Sequence, residues 1–480
     1  MKQTWPLFLA VVALFFIEIC AELTTTGMFL DGLVYANLAA NMAQGIGSFW
    51  QPCINPSYEP LFVGHPPLSF GLLALCYKAF GTHLWVTKAY SLGMILLTGL
   101  LLVRLWTRAG FRRQTAWLPL LLWVLVPLVS QFACDNMLEG PMGLFVLAAV
   151  LCMTHTPASW LRQAGWHLLA GVFLFLAFLT KGFTGLYPLC LPLIIWLADL
   201  LFAPQPRRRT LPQALGLTFV TLASTLLCLL LVGLLQPAAV DYLKAYLPLQ
   251  IVGGIQEHTV GSRWFIVGKF FMAVAIVLGL TLLALLVAAV RGRRSGQRLV
   301  AKDRWRTSFI YLLLTLSGVL PMMISTKQSN FYILTVFPFF AVAMGALTSD
   351  PVEQWLSRRG RPFRTVSTIV ALLLTIGAVT LNVANWGKPG RDVDLQHDVA
   401  LICAQLQQGE RIAITQPLQG EWGLFNYAYR AKQIEMHATN FADPADPRPR
   451  HLLANANDPL PDTLYHPIEL PTKQLRLFER

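Results

Sequence analysis

GHPPLSFGLLALCYKAFG, residues 64–81, opens on a His-Pro-Pro turn and runs on as an apolar segment from Pro66 to Phe80. Such a run is too short to cross a bilayer comfortably, since a spanning helix needs about 20 residues. It reads instead as a helix lying in the interface, with Lys78 snorkelling toward the headgroups. The choice matters for everything downstream. Treated as a span, the segment puts Arg104, Arg108, Arg112 and Arg113 outside; treated as interfacial, it puts them inside.

Working outward, long apolar runs separated by charged or Pro/Gly-rich breaks predict about eleven spans. They cover 5–23, 84–103, 115–133, 138–154, 164–180, 183–202, 211–235, 264–290, 307–325, 330–348 and 365–385. The first lacks a small-x-small cleavage site and reads as an uncleaved span. The loops expected inside hold 20 basic residues: Lys2, the four arginines just named, Arg162, Arg207–Arg209, seven between Arg291 and Arg306, and four between Arg358 and Arg364. The outer loops and span ends hold seven. This bias predicts the N-terminus inside and the C-terminus outside. A long tail crosses regardless of its charge, so its ten basic residues do not vote.

Composition agrees. Of 480 residues, 13% are charged and 55% hydrophobic, and mean hydropathy is +0.55. A soluble protein carries about a quarter charged residues, so an ordinary cytosolic protein is excluded, as is a disordered one. The net charge of +13 would suggest nucleic acid in a soluble chain. Here it is a topological collar, and no nucleic-acid partner is expected. The eight cysteines show no CxxC and no zinc spacing. Most lie in apolar runs as small hydrophobes, and Cys53, Cys134 and Cys403 are the candidates for one outer pair.

The fold class expected is an all-α polytopic membrane protein, residues 1–385, followed by a small extracytoplasmic α/β domain, 386–480. In that tail RIAIT (411–415) reads as a strand, EWGLFNYAYR (421–430) as a helix and QIEMH (433–437) as a strand, a small βαβ-like unit.

On this topology the unusual polar residues collect on the outer face. Asp31 follows the first span in TTTGMFLDGLVYANLAANMAQG, where Leu30, Leu33, Val34, Leu38 and Met42 recur at helical spacing, as in an amphipathic helix on the membrane. Asp135 falls in the turn CDNMLEGP, Lys181 in FLTKGF, and Lys327 in STKQSNFYIL. The segment 236–264 reads as an outer loop carrying Asp241, Tyr242, Lys244, Glu257, His258 and Arg263. Two carboxylates and two lysines at one face suggest phosphate chemistry at headgroup level. Lysines neutralise a phosphate as point charges, and a carboxylate serves as base for an acceptor hydroxyl. No GxxxxGK[ST] and no GxGxxG beside a strand is present, so a nucleotide donor is unsupported and a donor embedded in the bilayer is implied. The bland alternatives are concrete: a lone charge at a span end is usually a solvated cap, Asp135 suits a turn, and His65 suits the start of an interfacial helix. Glu139 and Asp199, near span ends, read as structural.

At these residues the chain resembles the C-type glycosyltransferases of the dolichyl-phosphate-mannose protein mannosyltransferase superfamily, and most of all the bacterial branch containing the lipid A aminoarabinose transferases. The resemblance rests on DGLVYANLA, GHPPLSFGLLALCYKAFG, CDNMLEGPMGLF, FLTKGFTGL and KQSNFYILTVFPFFAVAMGAL in that order, with a small soluble domain after them. It implies Asp31 as catalytic base, Asp135 as second acidic site, and Lys181, Lys327 and Tyr332 beside the donor phosphate. Tyr35, His65, His258 and Arg263 are possible cavity contacts. It implies a polyprenyl-phosphate sugar donor, an acceptor among lipid A, a glycan or a protein, membrane lipids as surroundings, and an inner-membrane location. Gly32 is a departure, because family members commonly carry a second acidic residue there. No cofactor is implied for certain, and a divalent metal shared by Asp31 and Asp135 is left open. The alternative is a transporter or flippase of a lipid-linked sugar, which would place charges or broken helices at midplane. A weaker one is a polymerase or ligase using a diphosphate-linked donor.

Overall fold

The computed structural model describes residues 4–56, 59–204, 208–292, 300–439, 448–458 and 464–480. Of the basic residues expected inside, Lys2, Arg207, Arg293, Arg294 and Arg298 lie outside the described residues. Two compact units divide the chain, one of residues 1–23, 63–69 and 89–384, the other of 24–62, 70–88 and 385–480.

The first unit is helical. Among the described residues of the chain, seven helical segments are long and apolar enough to cross a membrane, one of them the 43-residue Trp160–Phe202. Trp5–Glu18, Leu68–Phe80 and Glu139–Met153 are shorter apolar helices. The apolar runs expected as spans are therefore helical, but prolines interrupt several. Pro127 pushes Val126 into extended backbone and splits the 115–133 run into Trp117–Val124 and Pro127–Gln131. Tight 3₁₀ turns, Gly182–Cys190 and Asn330–Val336, lead into Leu191–Phe202 and Phe337–Ser357. Leu211–Leu235 starts on a capping box: Gln213 N–H donates to Thr210 Oγ1 at 3.4 Å and Thr210 N–H to Gln213 Oε1 at 3.0 Å.

Small and hydroxyl residues draw Trp160–Lys181 against Leu211–Leu235. Ser224 Oγ donates to Leu168 O at 2.7 Å and Thr225 Oγ1 to Gly171 O at 3.1 Å. In a membrane, close backbone approach and such bonds take the place of the hydrophobic effect. One expectation fails here. Most of the 236–264 loop is the helix Pro237–Gln256, which buries Tyr242 and Tyr246 on one side. Pro248 is tolerated in mid-helix.

The second unit carries the sheet. Its strands are β1 (Arg411–Ile414), β2 (Glu435–Ala438), β3 (His451–Asn455), β4 (His466–Ile468) and β5 (Leu475–Glu479), in order β2-β1-β3-β5-β4. β1 pairs parallel with β2 through the helix Trp422–Lys432, as the βαβ reading expects, and β3 is parallel to β1 while β5 and β4 pair antiparallel. Ile402, Ile412, Ile414, Leu453 and Leu477 form the core. Leu30–Gln44 also belongs to this unit. It is less amphipathic than its pattern suggests, because Asn37 and Asn41 are buried as well as Leu33 and Leu38. Asn37 Nδ2 donates to Asn426 Oδ1 at 2.8 Å, and Asn41 Nδ2 to Cys53 O and Ile54 O, both at 2.9 Å. No disulfide joins Cys53, Cys134 and Cys403, which are buried thiols.

Asp398 anchors the last strand. Fully buried in Val393–Gln405, it accepts from the N–H groups of Lys473, Gln474 and Leu475 at 2.8, 2.7 and 3.0 Å. Burial alone would raise its pKa, but these bonds and one from His397 outweigh it and hold the carboxyl below its ordinary value. A depressed carboxyl contributes stability that is complete above its unfolded pKa, about 3.9, and is lost as pH falls through the lower folded value. Hydrogen exchange of residues 475–479 in the full chain, corrected for intrinsic rate, should thus stay protected at pH 5 and open only below about pH 3.9. Asp398→Asn should open it at every pH, by about 2–4 kcal/mol.

Candidate active site

Lys181 ends the helix Trp160–Lys181 and is 7% exposed. Its ammonium donates to Glu139 Oε1 in an ion pair with both side chains buried. The rings of Phe331 and Tyr332 lie 5.1 and 4.5 Å from Nζ, within cation–π range. A buried charge pair is retained only where geometry and further polar contacts compensate its desolvation, and here a carboxylate and two aromatic faces do so. An ammonium has three N–H groups, so one salt-bridge partner does not exhaust it. Gly182 follows with φ +79°, and a Cβ there would run into the Tyr246 hydroxyl. That explains glycine in the TKGF motif.

The GHPPL turn is gripped by Pro237–Gln256. Tyr242 Oη donates to His65 O at 2.6 Å, and Gln250 Nε2 to Gly64 O at 2.8 Å. Burial of the His65 ring first, and then the charges of Lys181 and Lys327, hold its pKa well below the usual histidine range. The imidazole is neutral at physiological pH.

Lys327 differs from Lys181. It is half-exposed and pairs with Glu257 at 2.6 Å. Its loop is fixed by the next residue, since Gln328 Nε2 donates to Ser325 O at 2.7 Å and Arg263 O at 3.1 Å while Oε1 accepts from Ile266 N–H at 2.9 Å. Arg263 therefore contributes its carbonyl, and its side chain is exposed. His258 hydrogen-bonds Thr326 through Nδ1.

Asp135 is 2% exposed, in the turn before Glu139–Met153. Asn136 adopts φ 54° and its N–H donates to Ser91 Oγ at 3.0 Å, which sets the turn. A small cavity of about 40 Å³ lies alongside, lined by Ser91, Phe132, Met137, Glu139 and Thr335 among others. Asp31 and Tyr35 lie in the second unit. Asp31 is half-buried in the first turn of Leu30–Gln44, and Tyr35 stacks on Phe70 at 5.5 Å. The entry to that helix is held by the tail: Met28 N–H donates to Tyr427 Oη at 3.3 Å, and Arg391 lies 5.2 Å over Phe29.

Among the residues expected in the site, the structure thus draws His65, Lys181, Tyr332 and Lys327 into one neighbourhood of the first unit. Glu139, read from sequence as structural, is the direct partner of Lys181. Its only signal was a carboxylate at the head of an apolar run, with the partner 42 residues away. Among the described residues no group of three or more His, Cys, Asp or Glu is arranged to hold a metal ion.

Residues 34–247, somewhat under half of the chain, match the family model described as dolichyl-phosphate-mannose-protein mannosyltransferase. The fold is similar to that of ArnT from Cupriavidus metallidurans bound to undecaprenyl phosphate, with TM-score 0.63 and 15% identity over 100% of this chain and 98% of that one. It is also similar to the archaeal oligosaccharyltransferase AglB from Archaeoglobus fulgidus, with TM-score 0.53 and 12% identity over 95% of this chain and 70% of that one. No curated protein sequence matches. The likeness seen in the sequence motifs holds at the level of the fold.

Proposed function

From a membrane protein with the C-type glycosyltransferase fold, similar to the dolichyl-phosphate-mannose protein mannosyltransferase superfamily, we propose a glycosyltransferase that takes a sugar from a polyprenyl-phosphate donor on the periplasmic face. The observation that carries this reading is the ammonium of Lys181, buried, fixed by Glu139 and roofed by Tyr332. A similar fold solved with undecaprenyl phosphate bound supports the donor class.

Asp31 accepts the proton of the acceptor hydroxyl as its oxygen attacks the anomeric carbon, and the bond to the phosphate oxygen breaks on the opposite side. One displacement inverts the anomeric centre. The lipid phosphate leaves with its charge stabilised by Lys181 and Lys327. The two lysines have different parts. Lys181 is fixed and offers its remaining N–H groups in a set direction. Lys327 holds Glu257 in a half-exposed pair worth at most about 1 kcal/mol, so it exchanges that carboxylate for phosphate readily. Asp135 acts as the second acidic group, and the 386–480 domain holds the helix that carries Asp31. The acceptor is a lipid, glycan or protein hydroxyl.

Lys327→Gln tests the division of labour. Undecaprenyl phosphate binding to purified full-length protein should weaken about tenfold, with the thermal midpoint unchanged. Equal affinity in wild type and variant would remove Lys327 from the donor site.

A further inference from the structure

The far end of Trp160–Lys181 meets a second, polar cavity of about 640 Å³. Gln163 lines it, and that residue lies about 27 Å along the helix from Lys181 at 1.5 Å per residue. The cavity forms where Leu84–Arg108, Leu191–Phe202, Leu211–Leu235 and Lys302–Val319 all have their ends. The transfer chemistry above uses none of it. Among the described residues its charged lining is Arg108, Arg208, Arg209 and Arg306 against Asp199 and Asp303, an excess of two positive charges.

The bonding inside sharpens that excess. Asp199 is occupied on both oxygens: Arg306 Nε and Nη2 reach Oδ1 at 2.8 and 2.5 Å, and Arg209 N–H donates to Oδ2 at 3.1 Å. Arg208 Nε donates to Ala203 O at 2.7 Å, which fixes that guanidinium's orientation. Arg209 Nη1 is shielded from solvent and has no hydrogen-bond partner among the described residues. Burial first, opposed by Asp199 and reinforced by Arg306, lowers the Arg209 pKa from its ordinary value. A shielded guanidinium donor beside a second guanidinium is costly unless an acceptor anion meets it. The planar forks suit the tetrahedral oxygens of phosphate, which they engage in pairs.

We propose that this cavity is a binding site for a phosphate group, separate from the transfer site, with Arg209 and Arg306 as its inner donors and Arg208 at its rim. The phosphate belongs either to the headgroup of an anionic lipid in the adjacent leaflet or to a small soluble compound. Basic pockets between membrane helices commonly take lipid headgroups.

Native mass spectrometry of the full chain in detergent distinguishes the sources, with phosphatidylglycerol, inorganic pyrophosphate and a phosphate-free galactosyl diacylglycerol as probes. Wild type should retain phosphatidylglycerol or pyrophosphate and not the galactolipid. Arg209→Gln and Arg306→Gln should weaken retention about tenfold. Arg208→Gln, half-exposed and safer for folding, should weaken it in the same direction. Arg162→Gln, exposed near the same end of that helix and outside the cavity lining, should change nothing. Retention of the lipid alone assigns a headgroup, and retention of pyrophosphate alone a soluble phosphate. If wild type holds neither probe more tightly than Arg208→Gln and Arg306→Gln do, the cavity is not a phosphate site.

Discussion

Asp31→Asn should abolish sugar transfer, lowering kcat by about 10²–10⁴-fold, the range that a general base contributes. The substitution keeps the size and polarity of the side chain and removes only its basicity. The fold should hold, because the core packing of Leu30–Gln44 rests on Leu33 and Leu38, on Asn37 against Asn426 and on Asn41 against the Cys53 and Ile54 carbonyls, and the amide keeps an acceptor oxygen for the contacts of residue 31. Loss of an acidic residue in the first helical turn costs only about 0.3–1 kcal/mol. Thermal unfolding and donor binding should therefore match wild type while turnover disappears. Full activity in this variant would leave Asp31 as a helix-end charge and move the base elsewhere.

The second large effect belongs to the buried pair. Lys181→Met leaves the Glu139 carboxylate inside the protein without its cation, and should destabilise the chain by about 3–5 kcal/mol. Replacing both partners, Lys181→Met with Glu139→Gln, removes the stranded charge and should recover most of that loss, since a buried pair exchanged for neutral groups is often near neutral. Transfer should not recover, because the ammonium proposed to meet the phosphate is gone. Unfolding midpoints and turnover of the two variants thus separate what the pair does for the fold from what Lys181 does for the reaction. A double variant as unstable as the single one would mean that Glu139 and Lys181 are not coupled.

Most of the architecture is legible because a bilayer makes simple demands. Apolar runs became helices, and GHPPLSFGLLALCYKAFG became the short helix Leu68–Phe80. The βαβ unit at 411–438 was readable from alternation and turn residues, whereas β3 to β5 lie in a Pro-rich stretch without such a signal. Pro237–Gln256 was hidden by its charges, although its two tyrosines four residues apart bury the same side. Scarcity of charge exposed Lys181, Lys327 and Asp31. In sequence Glu139 reads as structural and Gln328 carries no signal, because what each does is set by partners brought together only by folding. The arginine cavity is the same lesson on a larger scale. As sequence, Arg208, Arg209 and Arg306 are ordinary topological charges; only packing brings them to one cavity, where the Arg306 guanidinium and the Arg209 N–H share Asp199.

The central claim is cleavage of a sugar–phosphate bond in a lipid-linked donor. Purified protein in lipid should be given a polyprenyl-phosphate donor labelled in its sugar, together with an envelope lipid and glycan extract as acceptor, and the free polyprenyl phosphate measured against time. Release of polyprenyl phosphate matched mole for mole by label in the acceptor, absent with Asp31→Asn, is the expected result. Label that crosses the bilayer with its phosphate linkage intact, and no free polyprenyl phosphate, would contradict the account and identify a flippase.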